Sequence, residues 1–263
     1  MSVDETPDPY ADARMSVFEH LRELRVRFLK SFVAIAVGFG ICWTWAEPLF
    51  QFLLIPLQNA ASEADLAQMH HKDLAEPFFV LLKTSILGGV FIALPVVIFQ
   101  LWSFVSPGLY DHEKKTLLPF MVSSFFFFLL GSTFCFVVVM PQGYEFLLGF
   151  SETVSQPELM MSEYLGLTSK LLIGFGIIFQ LPVVTSFMAK VGLITHRHLI
   201  TYWRHSVVAS FIVAAILTPP DVITQVLMAL PLSVLYFLSI GVAWYFTRQN
   251  ERKAARESAM SET

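Results

Sequence analysis

Apolar residues run through this chain in long blocks instead of recurring at the period of a half-buried helix or strand. The blocks cover about residues 28–46, 77–102, 116–140 and 164–189, and a last stretch runs from 205 to 247. An α-helix needs about 20 residues to cross about 30 Å of hydrocarbon, and the first four blocks supply roughly that or more. Thr218-Pro219-Pro220-Asp221 interrupts the last stretch. Tandem prolines end a helix, and an aspartate after them suits the start of the next. The pattern therefore predicts a fifth helix at 203–217 and a sixth at 222–246. The apolar part of the fifth, 205–217, is only 13 residues, about 20 Å of helix. Such a helix thins the bilayer or shelters among its neighbours. Pro95, Pro119, Pro182 and Pro231 fall inside spans and predict kinks, which neighbouring helices must satisfy. Several kinked helices enclose a concave surface, so the expected fold is an all-α, six-helix platform.

Composition removes the soluble alternatives. Of 263 residues 55% are apolar and only 14% charged, against roughly 45–50% and 25% in a soluble domain. The mean hydropathy is +0.63. Cys42 and Cys135 lie inside apolar blocks and read as small buried hydrophobes. Neither a disulfide framework nor a C-x-x-C pair is present. Charge placement says more than net charge. If the spans alternate, fourteen of the 17 Lys and Arg residues share one side: Arg14 to Lys30, Lys114 and Lys115, Lys190 to Arg204, and Arg248 to Arg256. Lys72 stands alone in the opposite loops, with Glu145, Glu152, Glu158 and Glu163. The bias places both ends of the chain in the cytoplasm. The outer loop 47–76 then carries a short apolar piece between Glu47-Pro48 and Ile55-Pro56, read as an interfacial helix. Residues 1–15, acidic and holding Pro7 and Pro9, read as a disordered leader and not a cleavable signal. Residues 16–246 form the membrane domain, and 247–263 a charged cytoplasmic tail.

Enzyme signatures are missing. The chain has no G-x-x-x-x-G-K-[ST], H-E-x-x-H or G-x-S-x-G string, so nucleotide hydrolysis and the common hydrolase chemistries have no seat here. His70-His71 and His196-Arg197-His198 read as solvated loop histidines without thiol or carboxylate partners at ligand spacing. No metal, cofactor or nucleic acid is expected. Polar groups inside spans are costly and worth weighing. Lys83 either snorkels outward or faces inward. Gln180, beside Pro182, either bonds a neighbouring helix or makes a polar spot in a cavity. Thr218, Asp221 and Gln225 cluster at the tip of the last hairpin, where Asp221 caps the sixth helix and Gln225 needs a partner. On the cytoplasmic side, Glu19 and Glu23 stand among Arg22, Arg25 and Arg27, and Asp111 and Glu113 beside Lys114 and Lys115. These carboxylates either pair locally or clasp a cationic ligand. A planar guanidinium suits them best, because it gives two parallel N–H···O bonds at each site.

Several strings then resemble one family in order along the chain. His20-Leu21-Arg22-Glu23-Leu24-Arg25 looks like the H-L-x-E-L-R opening of TatC, the core signal-receptor subunit of the twin-arginine protein translocase. Phe104 to Glu113 resembles its F-x-x-P-x-L-Y-x-x-E loop, and Leu217 to Asp221 its L-T-P-P-D turn. Glu76-Pro77-Phe78-Phe79 with Lys83, and Leu94-Pro95-Val96 to Trp102, fit its second span. The resemblance runs from about 16 to 246 and implies six helices with a short fifth and sixth. It implies binding of the twin-arginine signal peptides of folded cargo in a bacterial cytoplasmic membrane, and assembly of a complex driven by the proton motive force. Glu23 and Glu113 fall at the arginine site, with Phe104 lining it and Arg25 beside it. Thr218, Gln225 and Gln180 fall on the docking surface for single-span TatA and TatB subunits. Gln180 is neutral where many members carry Glu, which leaves a polar contact but no proton-linked role. Pro56, Asp221, Pro95 and Lys83 look structural, and the complex is expected to hold several copies of this chain. A small-solute secondary transporter is the contrasting class. It calls for internal repeats and ionisable groups near the midplane, where this chain offers only Gln180.

Overall fold

Backbone amides inside hydrocarbon have no water to bond, so each apolar block has to satisfy itself as a helix. The computed structural model describes residues 17–60, 73–105, 117–152, 160–218 and 222–261. The leader 1–15, Glu113 with its loop, and Pro219 to Asp221 lie outside them. The elements are α1 (Val17–Trp43), α2 (Ala46–Leu53), α3 (Ile55–Ala60), α4 (Glu76–Val105), α5 (Leu117–Phe134), a π turn (Cys135–Val139), α6 (Met140–Glu152), α7 (Met161–Ile178), α8 (Leu181–Lys190), α9 (His196–Thr201), α10 (Trp203–Leu217) and α11 (Val222–Ser261). Five runs are long and apolar enough to cross a membrane: Phe18–Trp43, Glu76–Val105, Leu117–Gly149, Met161–Lys190 and Val222–Arg252. Trp203–Leu217 is the short fifth passage in chain order. The sixth is not short. The tail after Thr247 is rich in Ala, Glu, Arg and Lys without Gly or Pro, so the helix propagates through it to Ser261.

The prolines act differently from one another. Pro95 and Pro231 sit inside α4 and α11. Pro182 follows a break at Phe179–Gln180, which splits the fourth passage into α7 and α8. Pro119 stands near the start of α5 as described. Pro141 does more than its position advertised. It follows the π turn Cys135–Val139, and a wider turn relieves the clash between a proline ring and the carbonyl four residues back.

Small residues set how closely the helices approach, as they do where lipid offers no hydrophobic drive between them. At the seam of α1 and α4, a Cβ added to Gly38 would meet the Gly89 carbonyl oxygen at 2.6 Å, and one on Gly89 the Phe39 amide nitrogen at 2.6 Å. Between α5 and α7, a Cβ on Gly131 would meet the Phe175 carbonyl at 2.6 Å, and Ser132 Oγ donates to the Leu172 carbonyl at 3.0 Å. Phe175, Leu165 and Cys135 are fully buried in this core. Cys42 and Cys135 are free and buried. The other face of α1 leaves Phe28, Phe32, Val37 and Ile41 exposed for lipid. An apolar cavity of about 590 Å³ lies among α1, α2, α4, α5 and the π turn, lined in part by Cys42, Phe52, Leu87, Ile92 and Phe136.

The loop after α1 folds back as two helices, α2 and α3, where one was expected. Pro56 and Leu57 are almost fully buried, and α3 packs on α6. Two polar contacts pin α7 to this end. The Glu76 carboxylate accepts the Ser162 backbone N–H at 3.0 Å, and the Tyr164 hydroxyl donates to the Leu53 carbonyl. Met160, the N-cap of α7, makes no side-chain cap bond, so Glu76 caps that helix from another element. Glu76→Ala strands a helix N-terminal amide, and the unfolding temperature in detergent should fall by the equivalent of about 1–2 kcal/mol.

Candidate functional site

The N-terminal turns of α1 lie against the C-terminal end of α4. The His20 ring stacks on Phe104, with centroids 4.3 Å apart and planes 24° from parallel. Helical spacing puts Glu23 one turn further along the same face, and Arg27 one turn beyond it. Arg27 Nε donates to Glu23 Oε1 at 3.0 Å, and Arg27 Nη2 donates to that same oxygen. The two side chains are only 18% (Glu23) and 23% (Arg27) exposed. Glu23 Oε2 is enclosed and meets no hydrogen-bond donor among the described residues.

Arg25 does not join this group. Two residues from Glu23 it points about 200° round the helix, and it is exposed. The residue that does reach the carboxylate, Arg27, follows from i,i+4 spacing, which outweighs membership of the H-L-x-E-L-R string. His20 is the other residue that the sequence named within a motif without assigning it a role. Glu113, the second carboxylate expected here, lies outside the described residues.

The residues expected to meet partner helices spend polar groups inside the chain. Gln180 Nε2 donates to the Ser124 carbonyl at 2.9 Å, while Ser124 Oγ accepts the Trp102 indole N–H at 2.9 Å. One serine thereby ties α4, α5 and the α7–α8 break together. Gln225 Nε2 donates to the Phe211 carbonyl at 3.1 Å, across the α10–α11 hairpin. The hydroxyl of buried Thr218 donates to Ala214 of its own last turn at 2.9 Å. Lys83 is exposed on α4. Asp221 lies outside the described residues.

The end of the molecule that carries Arg22, Arg27, Lys190 and Arg248 is closed by cross-helix bonds. Asn250 Nδ2 donates to the carbonyls of Ala189 and Lys190, at 3.1 Å each, and so satisfies the end of α8. Gly192, at φ +83°, turns the chain out of that helix. His196 and His198 lie in α9 and not in a loop. His198 Nδ1 accepts the Thr195 backbone N–H at 3.3 Å and completes a capping box. Among the described residues no three His, Cys, Asp or Glu side chains gather as a metal site.

Comparison with known proteins gives one answer throughout. A family model described as Sec-independent protein translocase protein (TatC) matches residues 19–231. The TatC of Desulforapulum autotrophicum is 43% identical over 261 residues, covering 98% of this chain and 93% of that protein. The TatC of Aquifex aeolicus is 38% identical over 239 residues, 90% of this chain and 98% of the relative. A crystal structure of a twin-arginine translocase receptor, TatC, superposes with a TM-score of 0.76 at 37% identity, over 87% of this chain and 100% of that one.

Proposed function

The chain belongs to the TatC family, and from that premise we propose that Glu23, Glu113 and Phe104 seat the paired arginines of a signal peptide. As a member it is a membrane-embedded subunit of the twin-arginine translocase and not an enzyme. The observation that supports the seat is the state of Glu23. It is mostly buried near the His20–Phe104 stack, and its second carboxylate oxygen meets no donor among the described residues. A guanidinium brings two parallel N–H groups to such a carboxylate, and its flat face can lie along an aromatic ring. Glu113, nine residues after Phe104 in the chain, supplies the second acceptor for the second arginine.

The wider reading follows the charge pattern and the family. Both ends of the chain face the cytoplasm, which puts Glu23 where an unexported signal arrives. Residues 16–246 are the membrane domain, and the apolar part of the signal lies against its helices. TatA- and TatB-type subunits gather at α10 and α11 around Thr218 and Gln225, and several copies of this chain enter one complex. With no nucleotide-binding loop in the chain, the proton motive force drives transport.

Binding of a twin-arginine peptide to the purified chain, beside the same peptide with both arginines changed to lysine, tests the seat. A lysine ammonium makes no fork, so the arginine peptide should bind at least about 10-fold tighter. Equal affinities would rule out the two-carboxylate seat.

A further inference from the structure

Arg27 holds Glu23 in a manner that leaves room for a better ligand. Both of its donating groups converge on Oε1, and Oε2 is enclosed and meets no donor among the described residues. That differs from the fork, in which each carboxylate oxygen takes one N–H. The pair is mostly buried, so the carboxylate needs a cation beside it whenever the seat is empty. The arrangement also sets a threshold, because a guanidinium that forks Glu23 through both oxygens must displace Arg27 from Oε1.

We propose that Arg27 is an exchangeable counter-ion for Glu23, released when a signal arginine docks, and that this exchange sets the threshold affinity of the seat. The inference rests on Glu23 belonging to the signal seat. An incoming guanidinium replaces the charge that leaves and adds a bond at Oε2, so the exchange runs downhill. An incoming ammonium gives up the same contacts but is a compact donor that does not span both oxygens, so it gains less from the exchange. Arg22 and Arg25 are exposed on α1, and helical spacing turns Arg25 to the far side from Glu23. Arg27 is therefore the residue on which the exchange depends, acting through Glu23 as a positioning group.

The test uses the full-length purified chain and two peptides, twin-arginine and twin-lysine, with wild type, Arg27→Gln, Arg27→Lys and Glu23→Gln. Arg27→Gln should bind the twin-arginine peptide about 3- to 10-fold more tightly, a shift of the size that charge-assisted bonds carry. The twin-lysine peptide should gain by a similar factor, because the contacts given up are the same, with Arg27→Lys between Arg27→Gln and wild type. Equal or weaker arginine-peptide binding by Arg27→Gln overturns the role of Arg27. If Arg27→Gln does not fold, as judged by its unfolding temperature, Arg27→Lys decides by the same affinity. Glu23→Gln separates the two levels. If it binds the arginine peptide as wild type does, the seat reading itself fails. If it binds weakly while the Arg27 variants keep wild-type affinity, only the exchange fails.

Discussion

Glu113→Ala should lower the affinity of the purified chain for a twin-arginine peptide by about 10- to 150-fold. The figure comes from the loss of a charged acceptor under a docked guanidinium, about 1.5–3 kcal/mol, at about 1.4 kcal/mol per decade. Glu113 follows Phe104 by nine residues, and Phe104 stacks on His20 within one turn of Glu23. Fluorescence anisotropy of a labelled peptide reads the change directly. Glu113→Gln keeps an acceptor but removes the charge, and should fall between wild type and alanine. Wild-type affinity in the alanine variant would move the receptor surface away from this end of the molecule.

Gly89→Leu should force α1 and α4 apart and destabilise the membrane domain. A Cβ there lies 2.6 Å from the Phe39 amide nitrogen and 3.0 Å from the Ile35 carbonyl. Both atoms are backbone, so no side chain can swing away and α1 must retreat from α4. Overpacking of this kind costs about 1–3 kcal/mol, which should lower the unfolding temperature in detergent by about 2–12 °C. The damage extends to binding, because α1 also carries Glu23. Gly38 is 15 residues along the same helix, about 22 Å away, so tilting α1 at the glycine seam shifts His20 against Phe104. Gly40→Ala is the control, since nothing lies within 4 Å of a Cβ at that position. It should unfold and bind as wild type does. If Gly89→Leu did the same, the close approach of α1 and α4 would not be what fixes the position of α1.

Much of this was legible along the chain for a simple reason. Hydrocarbon forces each apolar block to become a helix, and the short passage ending at Thr218 shows as a shortage of apolar residues. What stayed hidden depends on which side chain meets which across space. Arg25 was grouped with Glu23 because both belong to one recognisable string, whereas the helical period turns Arg25 away and brings Arg27 in. Glu76 looked like part of a motif, and its service as the cap of α7 required knowing that two segments 86 residues apart would meet. Pro141 was overlooked because a π turn is a local remedy that the hydropathy pattern does not display. The sixth helix outran its apolar block because charged residues end a membrane passage without ending a helix.

The bonds at the two ends of the fourth passage also bear on how the chain is made. The start of α7 is closed by Glu76, synthesised 86 residues earlier. The end of α8 is closed by Asn250, which emerges about 60 residues later. As the ribosome delivers it, this passage has a ready-made dock at one end and nothing yet at the other. Its trailing end stays frayed until the last helix has been inserted. A nascent chain stalled before Asn250 should therefore exchange its Val191 to Ile194 amides quickly, and the completed chain slowly. The final helix thus works as a late clasp that completes a helix laid down well before it.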